Sequence, residues 1–224
     1  MAKFREILEE LRMVLTGRSN LIDSLLPPLF FVILNALWGM RVAAWASLAL
    51  AVIIGLYRLF RRQSLLYALG GVGGVGVAVL IVQLLGRAEG FFLPGIITGA
   101  LTFVICLVSV VVRRPIVAYT SYIARRWPLD WYWHSRVRPA YSDVTWLWAG
   151  FFGLRLLLEY SLFQKEAASQ LAIAQILTGW PATIVLLIIS YLYGTWRLRN
   201  LAGPSVEEFK SSVEPPWESQ RRGF

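Results

Sequence analysis

Apolar residues fill six long stretches of the chain, at 21–39, 42–60, 65–85, 92–112, 144–163 and 171–193. Each approaches the ~20 apolar residues that cross a hydrocarbon core of ~30 Å. The pattern predicts an all-α fold, a polytopic membrane protein of about six transmembrane helices. Before the first stretch, Phe4, Ile7, Leu8, Leu11, Val14 and Leu15 recur at helical spacing, with charged residues between them. Residues 1–18 therefore read as an amphipathic helix on the membrane surface or against the bundle, too charged for the core of a signal peptide. Residues 19–199 form the membrane domain. The polar stretch 200–224, with Pro204, Pro215 and Pro216, reads as a disordered cytoplasmic tail.

Composition supports this reading. Of the 224 residues 57% are hydrophobic and 16% charged, against roughly 45–50% and about 25% in soluble domains. The net charge of +9 does not imply nucleic acid, because the cations punctuate apolar runs as headgroup anchors do. Lys3, Arg5, Arg12, Arg18, Arg58, Arg61 and Arg62 fall on one side of the predicted topology. So do Arg113, Arg114, Arg125, Arg126, Arg136, Arg138, Arg197, Arg199, Lys210, Arg221 and Arg222. Arg41, Arg87 and Lys165 fall on the other, and Arg155 lies inside a run. Positively charged loops stay inside, so both the N and the C terminus are expected in the cytoplasm. Cys106, the single cysteine, reads as a buried structural thiol.

One connection is long. Residues 115–141 interleave Trp127, Trp131, Trp133 and four tyrosines with Arg125, Arg126, Arg136 and Arg138. This is the composition of a headgroup-level surface, with partner docking as the alternative; stacking on single-stranded nucleic acid fits a membrane chain less well. His134 is the only histidine. No two-histidine zinc or haem site is available, and no metal or cofactor is expected.

Within the membrane, Arg155 and Glu159 stand four residues apart on one helix face. A charge at that depth costs ~2.5–3.5 kcal/mol and needs a partner or water. The two residues make either a proton, ion or headgroup site or an ion pair that fixes the packing. Gly70 with Gly74 and Gly95 with Gly99 form GxxxG pairs for close helix packing; the LGGVGGVGV run lacks the strand and Lys-Ser/Thr of a phosphate loop. Pro27 and Pro28 sit early in the first run, Pro94 early in the fourth and Pro181 near the middle of the sixth; a proline kinks or starts a helix, and Pro28, Pro94 and Pro181 are expected as kinks. Asp23 and Asp143 suit N-terminal helix positions. LPPLFFVILNAL and LPGIITGALTFV, at the starts of spans one and four, share a weak likeness.

RRQSLLYALGG, GRAEGFFLPGIITGALTFVICLVS, RRPIV, TWLWAGFFGLRLLLEY and TGWPATIVLLIISYLY resemble a bacterial multi-pass membrane family of unknown function, common in actinobacteria. The resemblance covers roughly residues 20–195. IDSLLPPLFF and VTWLWAGFF are, more distantly, similar to segments of intracellular septation protein A. That likeness implies an inner-membrane protein tied to envelope maintenance and carries over no catalytic residues.

The expectation is a non-enzymatic scaffold or accessory protein of the bacterial plasma (inner) membrane. Its partners would be anionic lipid headgroups, other membrane proteins or a second copy, without nucleic acid. The alternative is a small transporter or channel that uses Arg155 and Glu159.

Overall fold

A computed structural model describes residues 18–61, 65–220 and 223–224. The amphipathic helix expected at 1–18 lies almost wholly outside the described residues. Within them the chain is helical, without strands: α1 (Arg18–Trp38), α2 (Met40–Phe60) and α3 (Leu65–Leu85) lead to a 3-10 turn (Ala88–Phe92). Then follow α4 (Leu93–Val111), α5 (Ile116–Arg125), α6 (Leu129–Trp133), α7 (Arg138–Gln164), α8 (Ala168–Thr178), α9 (Trp180–Asn200) and α10 (Val206–Lys210). Four stretches among the described residues are long and apolar enough to cross a membrane: Met40–Phe60, Ala68–Leu85, Ala88–Val111 and Ala168–Asn200. These are the helices of a polytopic membrane protein, because only backbone that bonds to itself is tolerated in lipid. The apolar part of α1, Leu26–Trp38, is shorter. α7 has 27 residues, a length sufficient to cross, but mixes polar and charged residues into its apolar run.

The chain divides into two compact units, one of residues 1–95 with 159–180, the other of 96–158 with 181–224. In the first, α1 packs on α2 and α2 on α3, while α8 packs on α1 and on the 3-10 turn. Gly39 alone joins α1 to α2, with φ +82. Side chains disfavour that conformation, so glycine makes the tight hairpin cheap. α2 turns Ala43, Ser47, Ala51 and Gly55 inward, one small residue per turn, which lets the neighbouring helix approach closely. At Gly55 the approach is so close that a Cβ would stand 2.7 Å from the Val72 side chain on α3. The 3-10 turn buries Glu89, Gly90, Phe91 and Phe92. Phe91 stacks on Phe31 of α1 at 4.2 Å between ring centres.

In the second unit, the Trp148 indole N–H of α7 donates to Ser190 Oγ of α9 at 2.8 Å, and Ser190 donates to the Leu186 carbonyl. A buried polar link of this kind leaves no donor stranded in apolar surroundings. Phe103 of α4 lies over Gly153 of α7, where a Cβ would stand 3.0 Å from the ring.

The structure corrects three sequence expectations. Gly70 and Gly74 do not pack against the described residues: among these a Cβ at either would meet nothing within 4 Å, because the close face of the α2–α3 pair is set by Gly55 and by Gly71, beside Arg58. Pro94 and Pro181 are second residues of α4 and α9, so they start helices, where the missing N–H costs nothing; Pro28 lies inside α1 with Pro27. The described residues of the segment 200–224 are packed, not disordered. Val206 and Phe224 are buried, and a complete capping box between Ser205 and Glu208 opens α10, so spaced apolar residues and a cap outweigh the polar composition.

Candidate functional site

The aromatic–arginine region 115–141 folds into α5 and α6 around a core of its own. Pro115 and Pro128 precede the two short helices, and Arg126, left-handed at φ 56, ends α5 with its N–H on the Tyr122 carbonyl. Trp131, Tyr132, Val137, Ala140, Tyr141 and Val144 are buried together with Val117, Ala118, Leu198, Val206 and Phe224. Trp131 sits edge-on to Trp127, Tyr132 and Tyr141, with centroids 5.0–6.2 Å apart, a favoured geometry for aromatic pairs. Its indole N–H donates to the Pro204 carbonyl at 2.9 Å. A headgroup-level position is therefore corrected for Trp131, which is fully buried; Trp127, Trp133 and His134 are half-buried.

The arginines are arranged over these rings. The Arg114 guanidinium stands 4.4 Å from the Trp133 ring centre and that of Arg125 5.1 Å from Trp127, within cation–π range. Arg136 stands 5.6 Å from Trp217 of the 203–224 segment. Arg113 and Arg126 are exposed and both left-handed. Burial pushes the Tyr132 hydroxyl up, against the opposing pull of its Ser121 hydrogen bond and of Arg125; the two hydroxyls are 3.2 Å apart.

His134 accepts the Arg136 backbone N–H at Nδ1, 3.2 Å away. Its ring lies edge-on to Trp217 at 5.3 Å. Burial first, and the Arg136 charge second, hold its pKa below the ordinary histidine value. The folded state thus favours neutral His134, and the unfolded chain binds the proton more readily. The resulting stability is present above about pH 6.5, the unperturbed value, and is lost as pH falls through it toward the folded pKa. The thermal midpoint of the detergent-solubilised protein should drop on acidification from pH 7.5 to 5, and His134→Gln should flatten that part of the profile. A profile unchanged by the substitution would show that His134 contributes nothing to the pH dependence.

Arg155 is half-buried on α7, and Glu159, one turn later, is fully buried. They belong to different units. Gly95 holds the Gln175 carboxamide against it: a Cβ there would stand 2.7 Å from Nε2, which donates to the Phe92 carbonyl at 3.1 Å. Gly99, though buried, has no atom of the described residues within 4 Å of a Cβ position, so of these two glycines Gly95 is the one that packs closely among them. Asp143 does not cap α7, which begins five residues earlier at Arg138. Its carboxylate accepts instead from Arg197 Nε at 2.8 Å and from the Tyr193 hydroxyl at 3.4 Å.

The Arg87–Glu166 ion pair, 2.8 Å long, is exposed on both sides. Exposed pairs contribute about 0–1 kcal/mol, so Glu166→Gln should leave the unfolding midpoint in denaturant almost unmoved; a large shift would mean the pair is shielded from water.

A family model described as a protein of unknown function, DUF3159, matches residues 15–199. The chain belongs to the DUF3159 family. No curated protein and no solved structure matches it. The match takes in α1 to α9, hence the aromatic–arginine region of this DUF3159 protein; the 203–224 segment that seals that region lies beyond the matched residues. The sequence singles out the arginines, tryptophans and tyrosines of the region, Tyr141 among them, but not Gly194, Leu198 or Phe224. These three lie far along the chain from the region and carry no local motif.

Proposed function

We propose that this DUF3159 protein is a non-enzymatic scaffold or accessory protein of the bacterial plasma membrane, acting in envelope maintenance. It presents the aromatic–arginine layer on the cytoplasmic face. The observation that carries this reading is the completely buried Trp131–Tyr132–Tyr141 core, which gives a rigid platform between α7 and α9. Stretches 21–39 and 144–163 complete six crossings, with both ends of the chain in the cytoplasm beside the arginine-rich segments. The exposed Arg113 and Arg126 face anionic headgroups, each such residue contributing about 1 kcal/mol near a charged surface.

A second reading is favoured by one observation, the full burial of Glu159 on α7. An intramembrane carboxylate marks proton and ion paths in transporters. Flux measurements in sealed liposomes separate the two. The scaffold predicts no proton, sodium or potassium flux above empty liposomes. Flux that the folded Arg155→Leu, Glu159→Leu double variant abolishes would establish the transporter and sink the scaffold.

A further inference from the structure

The 203–224 segment is attached unevenly to the second unit. At its start, the Pro204 carbonyl accepts from Trp131, and Gly203 lies so close to Arg136 that a Cβ would stand 2.9 Å from its carbonyl oxygen. In the middle, Ser211, Ser212, Val213, Glu214, Pro215 and Pro216 are all exposed. The Trp217 indole N–H turns back onto the Val213 carbonyl of the same stretch. At the far end Ser219, Gln220 and Phe224 are buried again. An exposed stretch between two buried anchors allows one anchor to leave while the other holds.

The seat of the far anchor is specific in shape and chemistry. The Phe224 ring lies flat on Tyr141, 4.5 Å between centroids and 13° between planes. On α9, Gly194 supplies the space, since any Cβ there would collide with the Phe224 ring. Arg125 of α5 donates its Nε hydrogen to the Phe224 carbonyl oxygen at 3.1 Å. Gly223, at φ +75, keeps the chain clear of the same guanidinium, where a Cβ would stand 2.5 Å from Nη1. An aromatic floor, a missing side chain and a fixed donor together select an aromatic residue with an acceptor oxygen beside it.

We propose that the Tyr141–Gly194–Arg125 seat is a binding site for such a residue, filled within one chain by Phe224, and that it accepts the same segment from a second copy. Residues 211–216 then serve as the hinge of a strap exchange. The contacts within one chain and between two are chemically identical, as in domain swapping, so crowding in the membrane sets which prevails. The inference goes beyond the scaffold reading and stands without it.

The test is a fluorescent peptide of residues 211–224 titrated into the full detergent-solubilised chain. The Phe224→Ala protein, its seat vacated, should bind the peptide saturably and at least tenfold more tightly than the unaltered chain. A peptide carrying its own Phe224→Ala change should bind at least tenfold more weakly. Equal binding to both proteins, or indifference to the ring, would overturn the proposal. Hydrogen exchange on the unaltered chain gives a check that needs no variant. Amides of 217–220 and 223–224 should exchange at least tenfold faster than those of 194–200, reporting a strap that opens over an intact helix. Equally slow exchange in the two segments would overturn displaceability.

Discussion

Replacing Trp131 by alanine should cost the second unit about 3–5 kcal/mol, the range for removing a large aromatic side chain from a packed core. The residue is fully buried, and its loss empties the space that Trp127, Tyr132 and Tyr141 surround. The substitution also strips the Pro204 carbonyl of its donor, so the 203–224 segment should loosen together with the core. Unfolding in detergent with increasing denaturant, followed by the near-ultraviolet circular dichroism of the remaining aromatics, reads the effect. Trp131→Phe keeps most of the volume and should lose much less, mainly the hydrogen bond, about 0.5–1.5 kcal/mol. Trp146, 51% exposed on α7, is the control: its alanine variant should unfold within about 0.5 kcal/mol of the unaltered chain, as surface changes do. Equal losses at Trp131 and Trp146 would contradict a folded layer.

Gly95→Leu should destabilise the first unit. The new side chain would occupy the position of the Gln175 carboxamide. Overpacking costs about 1–3 kcal/mol, and separating the half-buried Gln175 from the Phe92 carbonyl loses a hydrogen bond of about 0.5–1.5 kcal/mol more. Gly74→Leu, at a site open in the structure, should be neutral or slightly stabilising, because leucine suits a helix better than glycine. The same denaturation series compares the two. Two glycines that respond alike would mean that position in the fold does not set their tolerance.

This pair of glycines also shows where the sequence was legible and where it was not. The helix-forming runs were readable from hydropathy: α3 occupies Leu65–Leu85, where the third stretch was expected. Local spacing, however, is shared by a helix face that packs and one that does not. Gly70 and Gly74 satisfy GxxxG as well as any pair. The stripe that packs, Ala43, Ser47, Ala51 and Gly55, has the same four-residue spacing with less conspicuous residues, and a search for small residues in general would have found it. The break before α9 was written in TGWP, a glycine that ends one helix and a proline in the first turn of the next.

The site was legible in part for a related reason. Arginine and tryptophan reveal their interfacial character residue by residue, so 115–141 stood out. Whether Trp131 faces lipid or a core depends on what covers it. The cover comes from Pro204, Val206 and Phe224, whose polar neighbours give the segment a disordered composition. Long-range docking of a few apolar residues leaves no periodic signal. In the same way, Asp143 looked like a cap until its partner Arg197, 54 residues later, was in view.

The six crossings proposed above would keep the aromatic–arginine layer and the 203–224 segment on one side of the membrane. Single cysteines introduced in a Cys106→Ser background, probed with a membrane-impermeant maleimide, test it most directly. Ser135→Cys, Ser211→Cys and Glu166→Cys all sit at exposed positions. The first two should label only in inverted vesicles and the third only in intact spheroplasts. Labelling of Ser135→Cys and Ser211→Cys from opposite sides, or of Glu166→Cys from the same side as Ser135→Cys, would contradict it.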